Sequence, residues 1–311
     1  MISGSVAVTL DTLCEIELPT GEAVPVVRRR FGGGEGPRVV FVAGLGGDTP
    51  EGTRLLHVVG KFLASCAEEL RGTVELYPCL NPLAAHLGVR AWPGLDVDLS
   101  RRFPGREDSH APDRVAAAFV AAVEGAAQVV ELRGAHPAFR LAPQARVRAE
   151  RPLARERAEL LNVRCVRLES GVLPGSLESC VPDLVVLQGG AGNRLTEGVS
   201  LELGDGLLNL LSHLGVLPEA RLPFHWAAIQ RPIVAGDDAF EDVRTDRGGL
   251  FLPAVGGWGE VQAGDLLGEV IEPISGEVRE ELRAPRDGRV LALREEPVVY
   301  PGNLAARLVC A

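Results

Sequence analysis

The chain has 311 residues, 46% of them hydrophobic, which is enough for two domains with sizeable cores. Its formal net charge is −10, so nucleic-acid binding is not expected, because neutralising phosphates requires clustered lysine and arginine. No apolar run approaches the about 20 residues needed to span a bilayer, and the first ten residues lack the basic and apolar regions of a signal peptide. We therefore expect a cytoplasmic protein that does not bind membranes.

Apolar segments alternate with segments of helical periodicity over the first two thirds of the chain. The predicted strands are 38–43, 73–78, 128–132, 163–168 and 183–188, and the predicted helices begin at Pro50 and cover 112–125, 152–161 and 201–214. This alternation is typical of an α/β fold with a mostly parallel or mixed sheet covered by helices. Ligands of such sheets bind beyond the carboxyl ends of the strands. The loops after residues 43, 78, 132 and 188 are therefore expected to carry the functional side chains.

The pattern changes at about residue 222. Short apolar runs are then separated by Gly, Pro and Asp turns, which predicts a small all-β domain at 223–311 after an α/β domain at 1–222. Its runs 261–270 and 284–290 resemble the turns of lipoyl- and biotinyl-type domains. Those domains carry their prosthetic group on a lysine. Since the only lysine of the chain is Lys61, covalent lipoylation or biotinylation of this domain is excluded.

The six cysteines are scattered and form no C-x-x-C pair. We interpret them as reduced, mostly buried thiols, with a disulfide framework or a cysteine zinc site as the alternative. Cys79 follows a predicted strand, so a cysteine nucleophile with His86 or His136 as its base is a second alternative.

Four stretches of the sequence fall in the predicted strand-end loops. They are 44–52 (GLGGDTPEG), 79–105 (CLNPLAAHLGVRAWPGLDVDLSRRFPG), 129–147 (VVELRGAHPAFRLAPQARV) and 184–196 (LVVLQGGAGNRLT). Together they resemble the succinylglutamate desuccinylase/aspartoacylase family, a branch of the zinc carboxypeptidase fold, and within it the bacterial proteins that act on N-acylated amino acids. The resemblance covers nearly the whole chain. It implies a zinc-carboxypeptidase-like α/β domain followed by a lipoyl-like β domain.

The resemblance also implies a chemistry, which is zinc-assisted deacylation. In the family two His and one Glu hold the ion and leave one position open, while a separate Glu is the general base. In this chain the motifs place Gly46, Thr49 and Arg133 at the ligand positions and Gln188 at the base position. Glycine has no side chain, threonine is a poor zinc ligand, arginine is a permanent cation, and glutamine cannot take up a proton as a carboxylate does. The zinc expected for the family is therefore predicted to be absent.

Other family positions are retained. The resemblance implies that Arg90 is the residue that polarises the scissile carbonyl. It places Arg101 in the carboxylate clamp, beside Ser100 where the family has Asn. With Arg133 and Arg194 these residues predict an arginine-lined, anion-binding cleft.

Two points about these arginines remain open in the sequence. We expect Arg133 to occupy the place of the absent cation and to pair with Asp48 or with a bound anion. Arg90 and Arg101 have an alternative role as solvated or fold-supporting residues, because Asp96 and Asp98 are near in sequence.

These features predict a pseudoenzyme related to the zinc-dependent N-acyl amino acid deacylases. It is expected to bind a small acidic or N-acylated amino acid, or to act as a non-catalytic subunit beside an active paralogue or another protein. The alternative is a divergent amidohydrolase whose metal ligands come from a partner chain or are displaced within this one. The candidates for displaced ligands are His57, His86, His110 and His136.

Overall fold

The computed structural model describes residues 8–222 and 231–310, apart from the side chain of Glu197. Residues 1–7, within the segment for which no signal peptide is predicted, lie outside the described residues. So do residues 223–230 and 311 of the predicted β domain. The described residues form seventeen β-strands and five α-helices. None of these helices has the length and apolar character needed to cross a membrane.

The first part of the chain contains eight strands and all five helices of the described residues. The strands are β1 (Val8–Glu17), β2 (Ala23–Gly32), β3 (Arg38–Val42), β4 (Thr73–Tyr77), β5 (Gln128–Gly134), β6 (Phe139–Arg148), β7 (Cys165–Glu169) and β8 (Val185–Ala191). The helices are α1 (Glu51–Ser65), α2 (Pro82–Leu87), α3 (Ala111–Val123), α4 (Pro152–Glu159) and α5 (Glu197–His213).

The second part contains strands and, in its described residues, no α-helix, as the turn pattern predicted. The strands are β9 (Ile233–Gly236), β10 (Phe240–Arg244), β11 (Gly249–Pro253), β12 (Glu260–Val261), β13 (Leu266–Ile271), β14 (Val278–Arg283), β15 (Gly288–Arg294), β16 (Val298–Val299) and β17 (Leu304–Val309).

One large mixed sheet runs through the molecule. Its main path is β1-β2-β4-β3-β5-β8-β6-β15-β17-β10, with β7, β9 and β12 attached at its side. The central strands β4, β3, β5 and β8 are parallel, whereas β1 and β2 pair antiparallel with their neighbours. Strand β6 is antiparallel to β8 and β15 and parallel to β7. The predicted α/β class and mixed sheet are confirmed. The pairing of β15 with β6 also joins the carboxyl-terminal strands to this sheet.

A second, four-stranded antiparallel sheet has the order β14-β13-β11-β16. Its core side chains, among them Phe251 and Leu267, pack against Val290 and Leu308 of the large sheet. The carboxyl-terminal strands are thus divided between the two sheets and share one core. This arrangement places β15 and β17 beside β6, next to the functional loops.

Helices cover both faces of the large sheet. On one face α1 and α5 pack together, with Leu55, Leu56, Val59 and Leu63 of α1 buried at the spacing the sequence predicted. Each such buried side chain contributes about 1.5–3 kcal/mol of hydrophobic stabilisation. On the other face α3 buries Phe119.

The hairpin of β1 and β2 was not predicted, because β2 carries the charged run Arg28, Arg29 and Arg30. The structure explains how charge is accommodated there. Arg28 and Arg30 lie 3.5 and 3.2 Å from the carboxylate of Glu75 on the adjacent β4. Glu75 itself is 1% exposed. The charges are therefore balanced across the strand pair, a feature that hydrophobic periodicity does not detect.

Candidate functional site

The first two strand-end loops are joined by their backbones. The amide of Asn81 donates to the carbonyl oxygen of Gly44 at 2.8 Å. Gly44 has a φ of +67°, and a Cβ there would lie 2.7 Å from the Cα of Cys79. Only glycine fits this conformation and this close approach. The loop with the first two family ligand positions is thereby held against the loop after β4.

Asn81 and Pro82 fix the start of α2. The buried Asn81 side chain accepts a hydrogen bond from the amide of Ala84 at 3.1 Å, and its amide nitrogen donates to the carbonyl oxygen of Leu45 at 3.3 Å. Asparagine is a favoured helix cap and proline a favoured first helical residue. These two motif positions thus have a structural role.

The retained run that ends in Phe103, Pro104 and Gly105 also packs into the fold. Phe103 is 3% exposed, and its ring lies 6.4 Å from that of Phe119 on α3. A Cβ on Gly105 would lie 2.2 Å from the carbonyl oxygen of Asp113. Asp113 in turn accepts two hydrogen bonds from Arg102, at 2.8 and 2.9 Å. These contacts hold the loop on α3 and thereby position Ser100 and its neighbours.

A cavity of about 230 Å³, here called the Arg133 cavity, opens between the strand-end loops. The predicted site residues that line it are Thr49, Arg90, Ser100, Arg133 and Gln188. Gly46 lies close to this wall, since a Cβ there would be 3.6 Å from the Cα of Arg90. The fold therefore gathers most of the predicted residues in one place.

Arg133 pairs with Glu131, not with the expected Asp48. Its Nη2 donates to Oε2 of Glu131 at 2.7 Å, and its Nε donates to Oε1. The two residues are two apart on β5, so their side chains emerge on the same face of the sheet. Burial alone would lower the pKa of Arg133, but the fully buried Glu131 and further carboxylates raise that pKa above its ordinary value. The guanidinium is thus a permanent charge within the cavity wall.

Asp48 has no partner of this kind. Its Oδ1 is buried and accepts no hydrogen bond from the residues that the structure describes. A Cβ on Gly46 would lie 2.9 Å from this oxygen. The first loop therefore keeps an unused acceptor beside the position where the family has a histidine ligand.

Arg90 lines the cavity and is paired with Asp98. Its Nε donates to Oδ2 of Asp98 at 2.9 Å, while Oδ1 accepts from the amide of Ser100 at 2.9 Å. Burial alone would raise the pKa of Asp98, but the hydrogen bonds from Ser100 and the charge of Arg90 hold it below its usual value. Of the two acidic neighbours considered in the sequence, Asp98 is thus the partner of Arg90.

Arg101 and Arg194 lie outside the Arg133 cavity. Arg101 is exposed at the surface. The side chain of Arg194 is 69% exposed, and its Nη1 lies 3.9 Å from Oε2 of Glu295. The fold does not bring these two arginines together with Arg90 and Arg133.

The base position, Gln188, faces the cavity from β8. Its Oε1 accepts a hydrogen bond from Nε2 of Gln144 on β6 at 3.2 Å. A side-chain amide is uncharged at any ordinary pH and does not take up a proton, so it cannot act as the general base of a deacylase.

A second group of charges borders the cavity and was not singled out in the sequence. Arg146 donates from Nε and Nη2 to the two carboxylate oxygens of Glu169, each at 2.8 Å, and lies 3.6 Å from Glu178. Burial raises the pKa of Glu178, although Arg146 and Arg133 act in the opposite direction. Arg146 lies on β6, Glu169 on β7 and Glu178 in a short 3-10 helix at Leu177–Ser179. Without the strand pairing, the sequence gives no signal that these groups converge.

The alternative histidine site does not form in the described residues. Of the four histidines considered, His136 lines the cavity, and His57, His86 and His110 lie exposed elsewhere. Nδ1 of His136 accepts a hydrogen bond from the amide of Ala138 at 3.2 Å. Cys79 is a weak candidate nucleophile, because burial raises the pKa of its thiol and disfavours the thiolate.

Zinc does not fit the groups at the family positions. Gly46 offers no donor and Thr49 only a hydroxyl, while Arg133 adds a fixed positive charge that would repel a cation. Throughout residues 8–222 and 231–310 no three His, Cys, Asp or Glu side chains are grouped so as to hold a metal ion.

Similar proteins are found by sequence and by structure. No protein-family model matches the sequence. The chain is 27% identical over 290 residues to the N-alpha-acetyl-L-2,4-diaminobutyric acid deacetylase of Halomonas elongata, covering 88% of this chain and 81% of that protein.

Two solved structures show the same fold. The product-bound ectoine utilization protein EutE (DoeB) of Ruegeria pomeroyi matches with a TM-score of 0.82 and 22% identity, covering 98% of this chain and 95% of that one. A succinylglutamate desuccinylase/aspartoacylase of Rhodobacter sphaeroides matches with a TM-score of 0.81 and 22% identity, covering 97% and 95%. The resemblance of this chain to the succinylglutamate desuccinylase/aspartoacylase family is thus confirmed, and the chain has the fold of that family.

Proposed function

We propose that this chain is a non-catalytic relative of the N-acyl amino acid deacylases, which binds a small acidic or N-acylated amino acid without hydrolysing it. The observation that carries the proposal is the ion pair between Arg133 and Glu131. It fills the place of the third metal ligand with a cation that is bonded to the protein itself.

The chemistry of hydrolysis needs an activated water, and the residues that would supply one are replaced. A metal lowers the pKa of bound water only if ligands hold it in place, and Gly46 and Thr49 do not. The amide of Gln188 cannot take the proton from a water molecule. Each replacement alone would strongly reduce the rate of N-acyl hydrolysis. Together they leave no metal-activated water to attack the acyl carbonyl.

The cavity that remains is suited to binding. The Arg133 cavity is polar and lies at the carboxyl ends of the parallel strands, where ligands of such sheets bind. Its polar groups are held in place by their partners, as Arg90 is by Asp98. A rigid polar wall of this kind loses little entropy when a ligand binds.

The proposal is tested on the purified full-length chain by measuring zinc content and acetate release together. The substrate is N-α-acetyl-L-2,4-diaminobutyric acid, the compound named for the relative from Halomonas elongata. We expect far less than one zinc per chain after dialysis, no acetate above the uncatalysed rate in NMR, and binding of the intact compound or of another N-acylated amino acid in calorimetry. About one zinc per chain together with acetate release would show instead an active deacylase with a displaced or partner-completed metal site.

A second candidate function is that of a subunit beside an active paralogue. Three exposed apolar side chains near Arg90 in the sequence support it, since Leu87 at the end of α2 and Val89 and Leu95 after it are 59%, 40% and 43% exposed. Exposed apolar side chains close together are typical of protein contacts. Co-expression with an active paralogue, followed by light scattering, tests this role. A joint complex that Leu87→Ser weakens would support it, and two separately eluting proteins would contradict it.

A further inference from the structure

A second cavity adjoins the Arg133 cavity. It has a volume of about 360 Å³ and is called here the Arg307 cavity. The two cavities share His136, Arg146 and Gln188 as lining residues. The opposite wall comes from the carboxyl-terminal strands β15 and β17, through Ala292, Leu304 and Arg307. This volume lies in the range of small-molecule sites.

The Arg307 cavity has an excess of positive charge in its lining. Its arginines are Arg146, Arg167 and Arg307, and its only lining carboxylate among the described residues is Glu169. Asp237 and Asp242, to which Arg167 and Arg307 donate hydrogen bonds, lie outside the lining, and the lining carboxylate Glu169 lies 3.6 Å from Nε of Arg167. Arg167 donates from Nη2 to Asp237 at 3.1 Å, and Arg307 donates from Nε and Nη2 to Asp242 at 2.6 and 2.9 Å. A guanidinium has five N–H donors, so these bonds orient Arg307 and leave donors for an anion.

The Arg133 cavity differs in this respect. Its lining contains Asp98 and Glu131, the direct partners of Arg90 and Arg133. Two of its three arginines are therefore neutralised inside the cavity. An anionic ligand gains more binding free energy in the Arg307 cavity, because fewer carboxylates in the lining compete with it for the arginines.

The side chain of Gln144 supplies an independent sign that a ligand belongs in the Arg307 cavity. It is 5% exposed and lines this cavity, and its Oε1 has no hydrogen-bond partner in the described part of the chain. A buried acceptor left without a donor costs about 1–3 kcal/mol. Nε of Arg167 is likewise buried without a hydrogen-bond partner there, at 3.6 Å from Glu169. A ligand with both an N–H group and a carboxylate would satisfy both atoms.

The rest of the wall is apolar. Phe139, Leu141 and Leu304 line it, and the ring of His136 lies 5.9 Å from that of Phe139. Such a surface accommodates a short aliphatic segment and excludes water from the charged groups.

We propose that the Arg307 cavity is the binding site for the ligand's carboxylate, with Arg307 and Arg167 as its hydrogen-bond donors and Gln144 Oε1 as the acceptor for a ligand N–H. The ligand class is a small carboxylate with an amide or amino N–H and a short aliphatic part. This inference rests on the proposed binding function and assigns it to residues of β6, β7 and β17, beyond the positions that the family motifs name.

Isothermal titration calorimetry on the full-length chain tests the inference. The probes are N-acetylglycine, N-acetyl-L-aspartate and N-α-acetyl-L-2,4-diaminobutyrate, each compared with its uncharged carboxamide. We expect at least one carboxylate to bind, and its carboxamide to bind at least about 10-fold more weakly, because the charge–charge contact is lost. If none of the three carboxylates binds, or the carboxamides bind equally well, the inference is wrong.

Variants locate the site. Arg307→Met and Gln144→Leu should each weaken carboxylate binding by about 10-fold or more, whereas Arg106→Met, which removes an exposed arginine that lines neither cavity, should change it less than about 2-fold. Arg307→Lys keeps the charge and should retain part of the affinity, which separates a lost contact from a misfolded protein. If Arg90→Met weakened carboxylate binding and Arg307→Met did not, the ligand would lie in the Arg133 cavity and the inference would be wrong.

The two proposals fail in different measurements. Zinc and acetate release would contradict the non-catalytic function and say nothing against Arg307 as an anion donor. Carboxylate binding that Arg307→Met and Gln144→Leu leave unchanged would contradict the Arg307 cavity as the site and leave the proposed function intact. Absence of any carboxylate binding would contradict both the Arg307 cavity and the binding part of the proposed function.

Discussion

Arg133 makes two hydrogen bonds to Glu131, a carboxylate with no exposed surface. A buried carboxylate is stable only when its charge is balanced. The balancing charge of Arg133 comes from the same strand, two residues away.

This pairing predicts a double-mutant effect on stability. Arg133→Met should lower the free energy of unfolding by about 3 kcal/mol, because Glu131 would remain buried and unpaired. Glu131→Gln/Arg133→Met removes the charge as well and should recover much of the loss. Urea denaturation measures both. As a control, Arg106→Met breaks an exposed pair with Asp108 and should leave the free energy of unfolding nearly unchanged, because solvent screens exposed ion pairs. A double variant no more stable than Arg133→Met would contradict the prediction.

Restoring the missing donors should restore metal binding. The variant Gly46→His/Thr49→Glu/Arg133→His should retain about one zinc per chain after dialysis, because two imidazoles and a carboxylate complete a three-ligand site. The free Oδ1 of Asp48 can accept a hydrogen bond from the new imidazole at position 46 and orient it.

The matched control is Gly46→Ala/Thr49→Ala/Arg133→His. It also replaces the glycine and the arginine, but it introduces only one metal-ligating side chain. It should retain no zinc in elemental analysis. A folded triple-donor variant without zinc would show that the loops no longer hold the ligand geometry.

The packing of Phe103, Pro104 and Gly105 against α3 predicts that only glycine is tolerated at position 105. Gly105 has a φ of +82°, and a Cβ would meet the backbone of α3, 2.2 Å from the carbonyl oxygen of Asp113 and 2.5 Å from the nitrogen of Ala117. Gly105→Ala should therefore destabilise by about 3 kcal/mol or more in thermal or urea unfolding. Gly34→Ala, where a Cβ meets nothing within 4 Å, should change stability by less than about 0.5 kcal/mol. Equal stability of the two variants would be inconsistent with this packing.

Glu178 predicts a pH dependence of stability. Burial raises its pKa above the ordinary 4.5, despite the nearby Arg146 and Arg133. A carboxyl with a raised pKa binds its proton more tightly in the folded state, so its contribution to stability is full below pH 4.5 and is lost as the pH rises through the folded-state pKa. Glu178→Gln resembles the protonated form. Its free energy of unfolding, relative to wild type, should therefore increase from about pH 4 to pH 7.

Urea denaturation across this range measures the effect, with the exposed Glu107→Gln as the matched control. A Glu178→Gln variant that becomes relatively less stable as the pH rises would reverse the assignment and show that the ion pair with Arg146 outweighs burial.

Much of the fold follows from patterns in the sequence. The run at 38–43 is apolar without alternation, which is typical of strands buried on both faces. It and the predicted strands at 73–78 and 183–188 form central strands of the large sheet. The hairpin of β1 and β2 was missed because its charges are balanced only across the strand pairing with Glu75. Strand β6 was not predicted because Gln144 and Arg146 face a cavity instead of a hydrophobic core.

The sequence by itself also supports the proposed loss of zinc-dependent hydrolysis. A missing side chain at Gly46, a fixed cation at Arg133 and a neutral amide at Gln188 are properties of the residue types, so they hold wherever the fold places them. The family motifs located these positions without knowledge of any contact.

Only the tertiary structure decided which residues the remaining ones meet. Glu131 is the partner of Arg133, and Arg101 and Arg194 lie apart from the Arg133 cavity. Arg307 and Gln144 line one cavity although they are far apart in sequence. The physical reason is that charge pairing and burial depend on distances through space, and strand pairing brings together residues that no spacing along the chain connects.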